Sequence, residues 1–482
     1  MTLKHRTFSA VRWTTGVAVA RVLLQLGQVA VLARLLTPED FGLMAMVAVV
    51  LGFGTVFTDM GVNSAYVQRS DVTQAQRSSL FWLNLFFGVG LTLTVLALSP
   101  MIAGFFGEKR LTPLLMLSST VFGITALGQQ LKMTAEKALD FRPVASIEVV
   151  AALSGFVAAV IAAYSGKGVY ALVIGAVVNA TTVTLLAWLI LARGWRPLWR
   201  FRYADVRSFL GFGGALAANN LVNEVNRGVD LLLGGRMLAA SALGLYSLPR
   251  QLVFQIQGMV NPIITRVGFP LIAQVQADTH KVRSIYLKTL NMTAATNAPL
   301  YVGIAFFAPQ VITIMLGDKW LAATDLLRLL AIWGFFRSTG NPVGSLLLGM
   351  GRADLALKWN LVSLCLVPPI LWFGAQFGTE GLAWSLLGFA LVMFIPGWFF
   401  LVRPLCHAGL LSYSIATIRP ALIATIAIGT AYGLTLPFTN PYLHLVVAVL
   451  ISGPLYFGIS ILLNREWWDA IRELTSLGGR KD

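Results

Sequence analysis

Residues 209–238 read FLGFGGALAANNLVNEVNRGVDLLLGGRML. As a helix the stretch is long enough to cross a hydrocarbon core of about 30 Å. Its middle nevertheless carries Glu224, Arg227 and Asp230 together with Asn219, Asn220, Asn223 and Asn226. Asn219, Asn223, Asn226 and Asp230 recur at i, i+4, i+7 and i+11, so they share one face, with Glu224 and Arg227 beside it. An ionised side chain at mid-bilayer costs roughly 3 kcal/mol, and three of them are not tolerated against acyl chains. The face is expected to turn toward other helices or a hydrated cavity, where its polar groups are candidates for a transport path.

The rest of the chain supports a membrane setting. Of 482 residues, 57% are hydrophobic and only 12% charged, against about 25% charged in a soluble domain. Mean hydropathy is +0.76. The net charge of +16 is spread over short connections rather than gathered in one nucleic-acid-binding patch. About fourteen apolar segments stand between charged or Pro/Gly-rich breaks, near 10–36, 41–67, 79–106, 111–135, 144–165, 169–192, 209–236, 243–268, 288–316, 323–349, 355–377, 381–402, 415–436 and 443–463. Sorting the connections by side gives about 23 basic residues against 7, a bias that is expected to place both termini in the cytoplasm. The basic start MTLKHRTFSAVRW runs on apolar to Leu36 with no small-residue cleavage site, so a retained first helix is expected. Near the other end, Trp467 and Trp468 are expected to anchor at the interface. No loop is long enough for a soluble domain; the polar interval from Ala273 to Ser284 reads as a short amphipathic connection.

One internal repeat is visible. VLARLLTPEDFGL (31–43) and LGGRMLAASALGL (233–245) align without gaps at an offset of 202 residues, matching Arg34 with Arg236, Gly42 with Gly244 and Leu43 with Leu245. Six spans separate the copies, so the repeats are parallel. The expected architecture is an all-α integral membrane protein of about fourteen helices. It has an amino-terminal lobe (1–200), a second six-helix lobe (201–405) and two further helices with an interfacial tail (406–482).

The helices that correspond under this repeat carry polar stripes. The first has Thr14, Arg21, Gln25 and Gln28 on one face; the second has Thr55, Asp59, Asn63 and Tyr66; the eighth has Gln251, Gln255 and Asn261 ahead of Pro262 and Arg266. Together with the seventh they point to a central water-accessible cleft. Arg21, Arg227, Arg266 and Arg337 suit an anion such as a phosphate, whose oxygens a guanidinium binds bidentately. Asn219, Asn223, Gln25, Gln28 and Tyr66 suit sugar hydroxyls, and Asp59, Glu224 and Asp230 a coupling proton or sodium ion. Each has a plainer reading. Arg227 forms i,i+3 pairs with Glu224 or Asp230 that neutralise within a bundle; Asp59 caps a helix end; Glu148 snorkels; Arg266 and Arg337 are interfacial anchors. The run RSTGNPVGS (337–345) reads as a broken helix, tolerated only against protein or water.

Enzyme signatures are missing: no G-x-x-x-x-G-K-[ST], H-E-x-x-H or G-x-S-x-G occurs, and Cys365 and Cys406 have no metal-ligand spacing. His5, His280, His407 and His444 are scattered. A transporter without a cofactor or a metal is expected, with no nucleic-acid partner.

The segments LARLLTPEDFGLMAM, DMGVNSAYVQR, LLLGGRMLAASALGLYSLPRQL, NPIITRVGFP and RSTGNPVGSLLLGMGR resemble Wzx-type polysaccharide flippases. These belong to the multidrug/oligosaccharidyl-lipid/polysaccharide (MOP) exporter superfamily, and the similarity is closest to the WzxC-like colanic acid exporter branch. The resemblance implies fourteen helices in two lobes. It also implies transfer of an undecaprenyl-diphosphate-linked oligosaccharide across the inner membrane for exopolysaccharide, lipopolysaccharide O-antigen or capsule assembly, in company with membrane lipids, a polymerase and export machinery. Asp230 stands where family members often carry an aspartate before the seventh-helix arginine motif. The alternatives are a cation-coupled multidrug or small-molecule exporter of the same superfamily and a non-catalytic scaffold of a polysaccharide-assembly complex. A membrane polymerase or ligase is the third.

Overall fold

Asn219 to Asp230 lie inside one unbroken helix, Tyr203–Met237, whose 35 residues span about 52 Å at 1.5 Å per residue. The computed structural model describes residues 24–59, 66, 69, 71–469 and 472, with side chains for all of these except 59, 210–216 and 262–267. Among the described residues the chain is helical with no strand. In order the helices are α1 Leu24–Leu35, α2 Pro38–Asp59, α3 Gln74–Phe106, α4 Leu111–Lys137, α5 Phe141–Tyr164 and α6 Tyr170–Leu186, which runs on as a π-turn to Leu191. Then come α7 Tyr203–Met237, α8 Ala240–Gln274, α9 Thr279–Phe306, α10 Ala308–Met315, α11 Thr324–Thr339, α12 Pro342–Gly349, α13 Ala353–Ala375 and α14 Gly378–Val392. The series closes with α15 Phe394–Cys406, α16 Leu410–Thr435 and α17 Pro441–Leu463.

Among the described residues, each of the fourteen apolar intervals contains a helix or two helices in series. Eight helices are long and apolar enough to cross a membrane alone, and ten spans result if the two bent pairs, α9–α10 (83°) and α14–α15 (40°), each count once. The long helices α7 and α8 fall outside that group because they carry the polar residues. Several helices start earlier than hydropathy indicates. A Thr73–Gln76 capping box opens α3, and the Asp278 carboxylate accepts from the Lys281 N–H to open α9. Half of the interval read as a connection, from Thr279 on, is therefore helical.

The chain forms two compact units, Met1–Gly244 and Leu245–Asp482. In the first, small residues let backbones approach closely, as lipid-embedded packing requires. A β-carbon on Gly155 would sit 2.6 Å from the carbonyl oxygen of Gly175, and one on Gly88 would sit 2.4 Å from the Ala126 methyl. The π-turn at Ala187–Leu191 delivers the chain to a cluster of Phe81, Trp188 and Trp195, with the two indoles stacked at 6.3 Å. Helix α7 packs within this unit against α2 and α3.

In the second unit α9 is central, packed by α16 and α11. A polar chain ties three helices at one end: Arg419 donates to Asn464 (2.7 Å), whose amide donates to Asn291 (3.0 Å). The Tyr456 hydroxyl donates to the Ala295 carbonyl at 2.7 Å, fastening α17 to α9. The RSTGNPVGS run is a broken helix as its composition predicts: α11 ends at Thr339, Gly340 and Asn341 turn, and α12 begins at Pro342. Proline has no N–H, so the Ser338 carbonyl loses its i+4 donor. The Asn261 amide takes that place at 3.1 Å, and the Ser338 hydroxyl returns a bond to Asn261 Oδ1 at 3.0 Å.

Candidate functional site

The stripe on α7 is divided by its neighbours. Asp230 is buried, Asn219, Glu224 and Asn226 are half-buried, and Asn223 and Arg227 are exposed. Glu224 packs on α2, its Oε1 only 2.5 Å from the place a β-carbon on Gly52 would take. A glycine there gives the carboxylate room against the neighbouring backbone. Farther along, Gly235 admits Phe106 and Met46 in the same way, so α7 and α2 run antiparallel in close contact. A helix carrying this many polar groups is held by protein on one side while Asn223 and Arg227 remain reachable on another.

The other predicted residues are distributed as follows. Gln25 and Gln28 lie on α1, both half-buried. Arg21 falls outside the described residues, as do the side chains of Asp59 and Arg266. Tyr66 is 3% exposed; its hydroxyl is 3.1 Å from Thr134 Oγ1, and the Lys137 ammonium lies 4.8 Å over its ring. That environment is helix packing within the core formed by Leu80, Leu83, Met133, Val206 and Phe209. Arg337 closes α11 and is exposed. Glu148 is paired with Lys132 across α4 and α5.

Two features were not picked out in the sequence. In the second unit Arg250, 9% exposed, lies 4.5 Å from the centroid of Phe254, and Arg337 lies 5.0 Å from the same ring. Trp333 supports it edge-on at 5.6 Å and also carries Arg337 at 5.3 Å. Two guanidiniums are thus gathered on one aromatic by cation–π attraction. The i,i+4 spacing of Arg250 and Phe254 was available in the sequence; the approach of Arg337 was not. Lys132 is the second, a cation within a span whose partner lies on the following helix. Among the described residues no group of His, Cys, Asp and Glu is arranged to hold a metal. An open groove of about 470 Å³ between α13 and α14, lined by Phe373, Phe377, Glu380 and Trp384, contains none of the residues above.

Residues 31–325 match the family model described as polysaccharide biosynthesis protein. The chain belongs to the polysaccharide biosynthesis protein family. A relative in that family is the lipopolysaccharide biosynthesis protein WzxC of Escherichia coli (strain K12), 30% identical over 472 residues that cover 97% of this chain and 95% of that protein. The teichuronic acid biosynthesis protein TuaB of Bacillus subtilis (strain 168) is 33% identical over 437 residues, 90% of each. Among solved structures, the lipid II flippase MurJ in an inward closed conformation superposes with a TM-score of 0.76 at 15% identity, over 94% of this chain and 99% of that one. An inward-facing multidrug resistance transporter of the MATE family gives 0.57 at 15% identity, over 86% and 98%. This polysaccharide biosynthesis family member therefore has the fold shared by MOP-superfamily transporters.

Proposed function

We propose that the protein flips an undecaprenyl-diphosphate-linked oligosaccharide repeat unit from the cytoplasmic to the periplasmic leaflet of a bacterial inner membrane, supplying exopolysaccharide, O-antigen or capsule assembly. The observation that carries this reading is the match to WzxC along 97% of the chain. The reachable Arg227 and Asn223 on α7 supply the chemistry that such a cargo needs. The protein is a transporter, both termini face the cytoplasm, and the polymerase and export machinery receive its product. Two six-helix repeats (1–200 and 201–405) followed by 406–482 exchange inward- and outward-open states. Arg21, Arg227, Arg266 and Arg337 engage the diphosphate, joined by Arg250. Asn219, Asn223, Gln25 and Gln28 engage sugars, Tyr66 being taken up by packing, and Asp59, Glu224 and Asp230 carry the coupling ion.

The test replaces Arg21, Arg227 and Arg337 singly by Ala in a flippase-deleted strain and measures surface polysaccharide and lipid-linked intermediate. Loss of one charge-assisted bond, about 1.5–3 kcal/mol, corresponds to an export deficit on the order of tenfold or more, with intermediate accumulating inside. Full export by normally inserted variants at all three positions removes Arg21, Arg227 and Arg337 from the mechanism.

A further inference from the structure

The connection between α6 and α7 reads RGWRPLWRFR (193–202), and it is fastened down. The Leu198 N–H donates to Ser78 Oγ at 3.1 Å and the Arg202 N–H to Ser79 Oγ at 3.4 Å, while the Trp82 indole donates to the Leu198 carbonyl at 2.8 Å. Trp195 turns inward onto Trp188, with the Arg77 guanidinium 4.0 Å over its ring. The remaining aromatics turn outward: Trp199 is 92% exposed, Tyr203 63% and Phe201 51%. Arg193 is committed to Asp140 at 2.5 Å. Arg196, Arg200 and Arg202 are exposed and form no ion pair among the described residues.

What lies beside this strap decides its partner. The ring of Trp199 rests on Trp82 at 5.0 Å. Trp82 heads a stripe on α3 that continues through Phe86, Val89 and Leu93, at i, i+4, i+7 and i+11, with exposures of 73%, 42% and 60% for the last three. An exposed apolar stripe on a spanning helix faces acyl chains. Trp199 therefore stands where that stripe ends, at the level of the headgroups, with three uncommitted guanidiniums flanking it. Indole and guanidinium interleaved at that depth match a bilayer surface bearing anionic lipid.

We propose that residues 196–203 form a binding site for anionic phospholipid headgroups, with Trp199 seated at the hydrocarbon boundary and Arg196, Arg200 and Arg202 on lipid phosphates. The site is separate from the transport path and does not depend on the cargo.

The test uses the purified full chain in nanodiscs of phosphatidylcholine doped with brominated phosphatidylglycerol or, at equal content, brominated phosphatidylcholine. The difference between wild type and Trp199→Phe isolates emission from Trp199. Both brominated lipids are expected to quench it, the anionic one more strongly. Each Arg→Gln replacement is expected to reduce that preference roughly fivefold, the equivalent of one juxtamembrane charge, and high salt to abolish it. Millimolar inorganic phosphate is expected to leave it unchanged; displacement by phosphate overturns the lipid assignment. Equal quenching by the two lipids overturns the anionic preference, and no quenching by either overturns membrane contact. The triple Arg196→Gln, Arg200→Gln, Arg202→Gln variant keeps Trp199 and reads the same preference from total emission if the Trp199 variant is poorly folded.

Discussion

Gly42 and Gly244 stand against each other's helix starts with near two-fold symmetry. A β-carbon on Gly42 would fall 1.7 Å from the Ala240 carbonyl oxygen and 3.0 Å from the Gly244 nitrogen; one on Gly244 would fall 1.7 Å from the Pro38 oxygen and 3.1 Å from the Gly42 nitrogen. Both pairs, Pro38 with Ala240 and Gly42 with Gly244, are separated by 202 positions (240 − 38 and 244 − 42), the offset of the sequence repeat. The repeat is thus a contact as well as a likeness. A backbone atom cannot swing aside as a side chain can. Gly42→Ala and Gly244→Ala are each expected to destabilise by about 1–3 kcal/mol or more, read as a lowered melting temperature in detergent. The double variant should cost less than the sum, since both act on one contact. Gly90→Ala, with open space around it, serves as the near-neutral control.

At the α11–α12 break, Asn261→Ala leaves the buried Ser338 carbonyl with only the longer bond from the Asn341 N–H at 3.3 Å and the Ser338 hydroxyl without its Asn261 acceptor. The expected cost is about 1 kcal/mol. In a Pro342→Ala background the i+4 N–H is restored, so the same Asn261→Ala change should cost clearly less. An equal cost in both backgrounds would show that the proline is not the reason for the bond.

Lys132 and Glu148 tie α4 to α5 with side chains 32% and 22% exposed. Removing the lysine takes this ion pair from Glu148 within a span, so Lys132→Ala should destabilise more than the double change Lys132→Leu, Glu148→Leu. Thermal unfolding of the three proteins orders them, and a double change as costly as the single one would contradict the argument.

Glu108 accepts from the Arg110 side chain at 2.9 Å, and that bond holds its carboxyl below the ordinary value of 4.5. A depressed carboxylate contributes stability that is complete above the unfolded value and is lost as pH falls through the folded one. Melting temperature should therefore drop below about pH 4.5 by more in wild type than in Glu108→Gln. The difference should be small, under about 1 kcal/mol, because the group is at the surface.

Hydropathy located the apolar helices, since a run of apolar residues has few options in lipid, and Pro342 announced the break. The ends were less legible. Asp278 starts α9 well before the apolar run because Lys281, Arg283 and Lys288 are helical beyond the membrane boundary. The polar stripe of α7 was legible as a face, but periodicity cannot say which neighbour covers each part of it. Glycine at position 52 decides that Glu224 is packed, and nothing in 209–238 reveals it. Tyr66 looked like a stripe member by spacing, yet its hydroxyl meets Thr134, 68 positions away. The pairing of Arg250 and Arg337 on Phe254 likewise joins residues too far apart in sequence to be read from a helical wheel.

The fastening of 198–202 onto α3 also bears on motion. With both backbone donors and the Leu198 carbonyl held, that segment has no slack, so the opening turn of α7 moves as one body with α3. Any swing of the remainder of α7 has to be absorbed beyond that opening turn. The strap is an immobile pivot, and the lever begins beyond it.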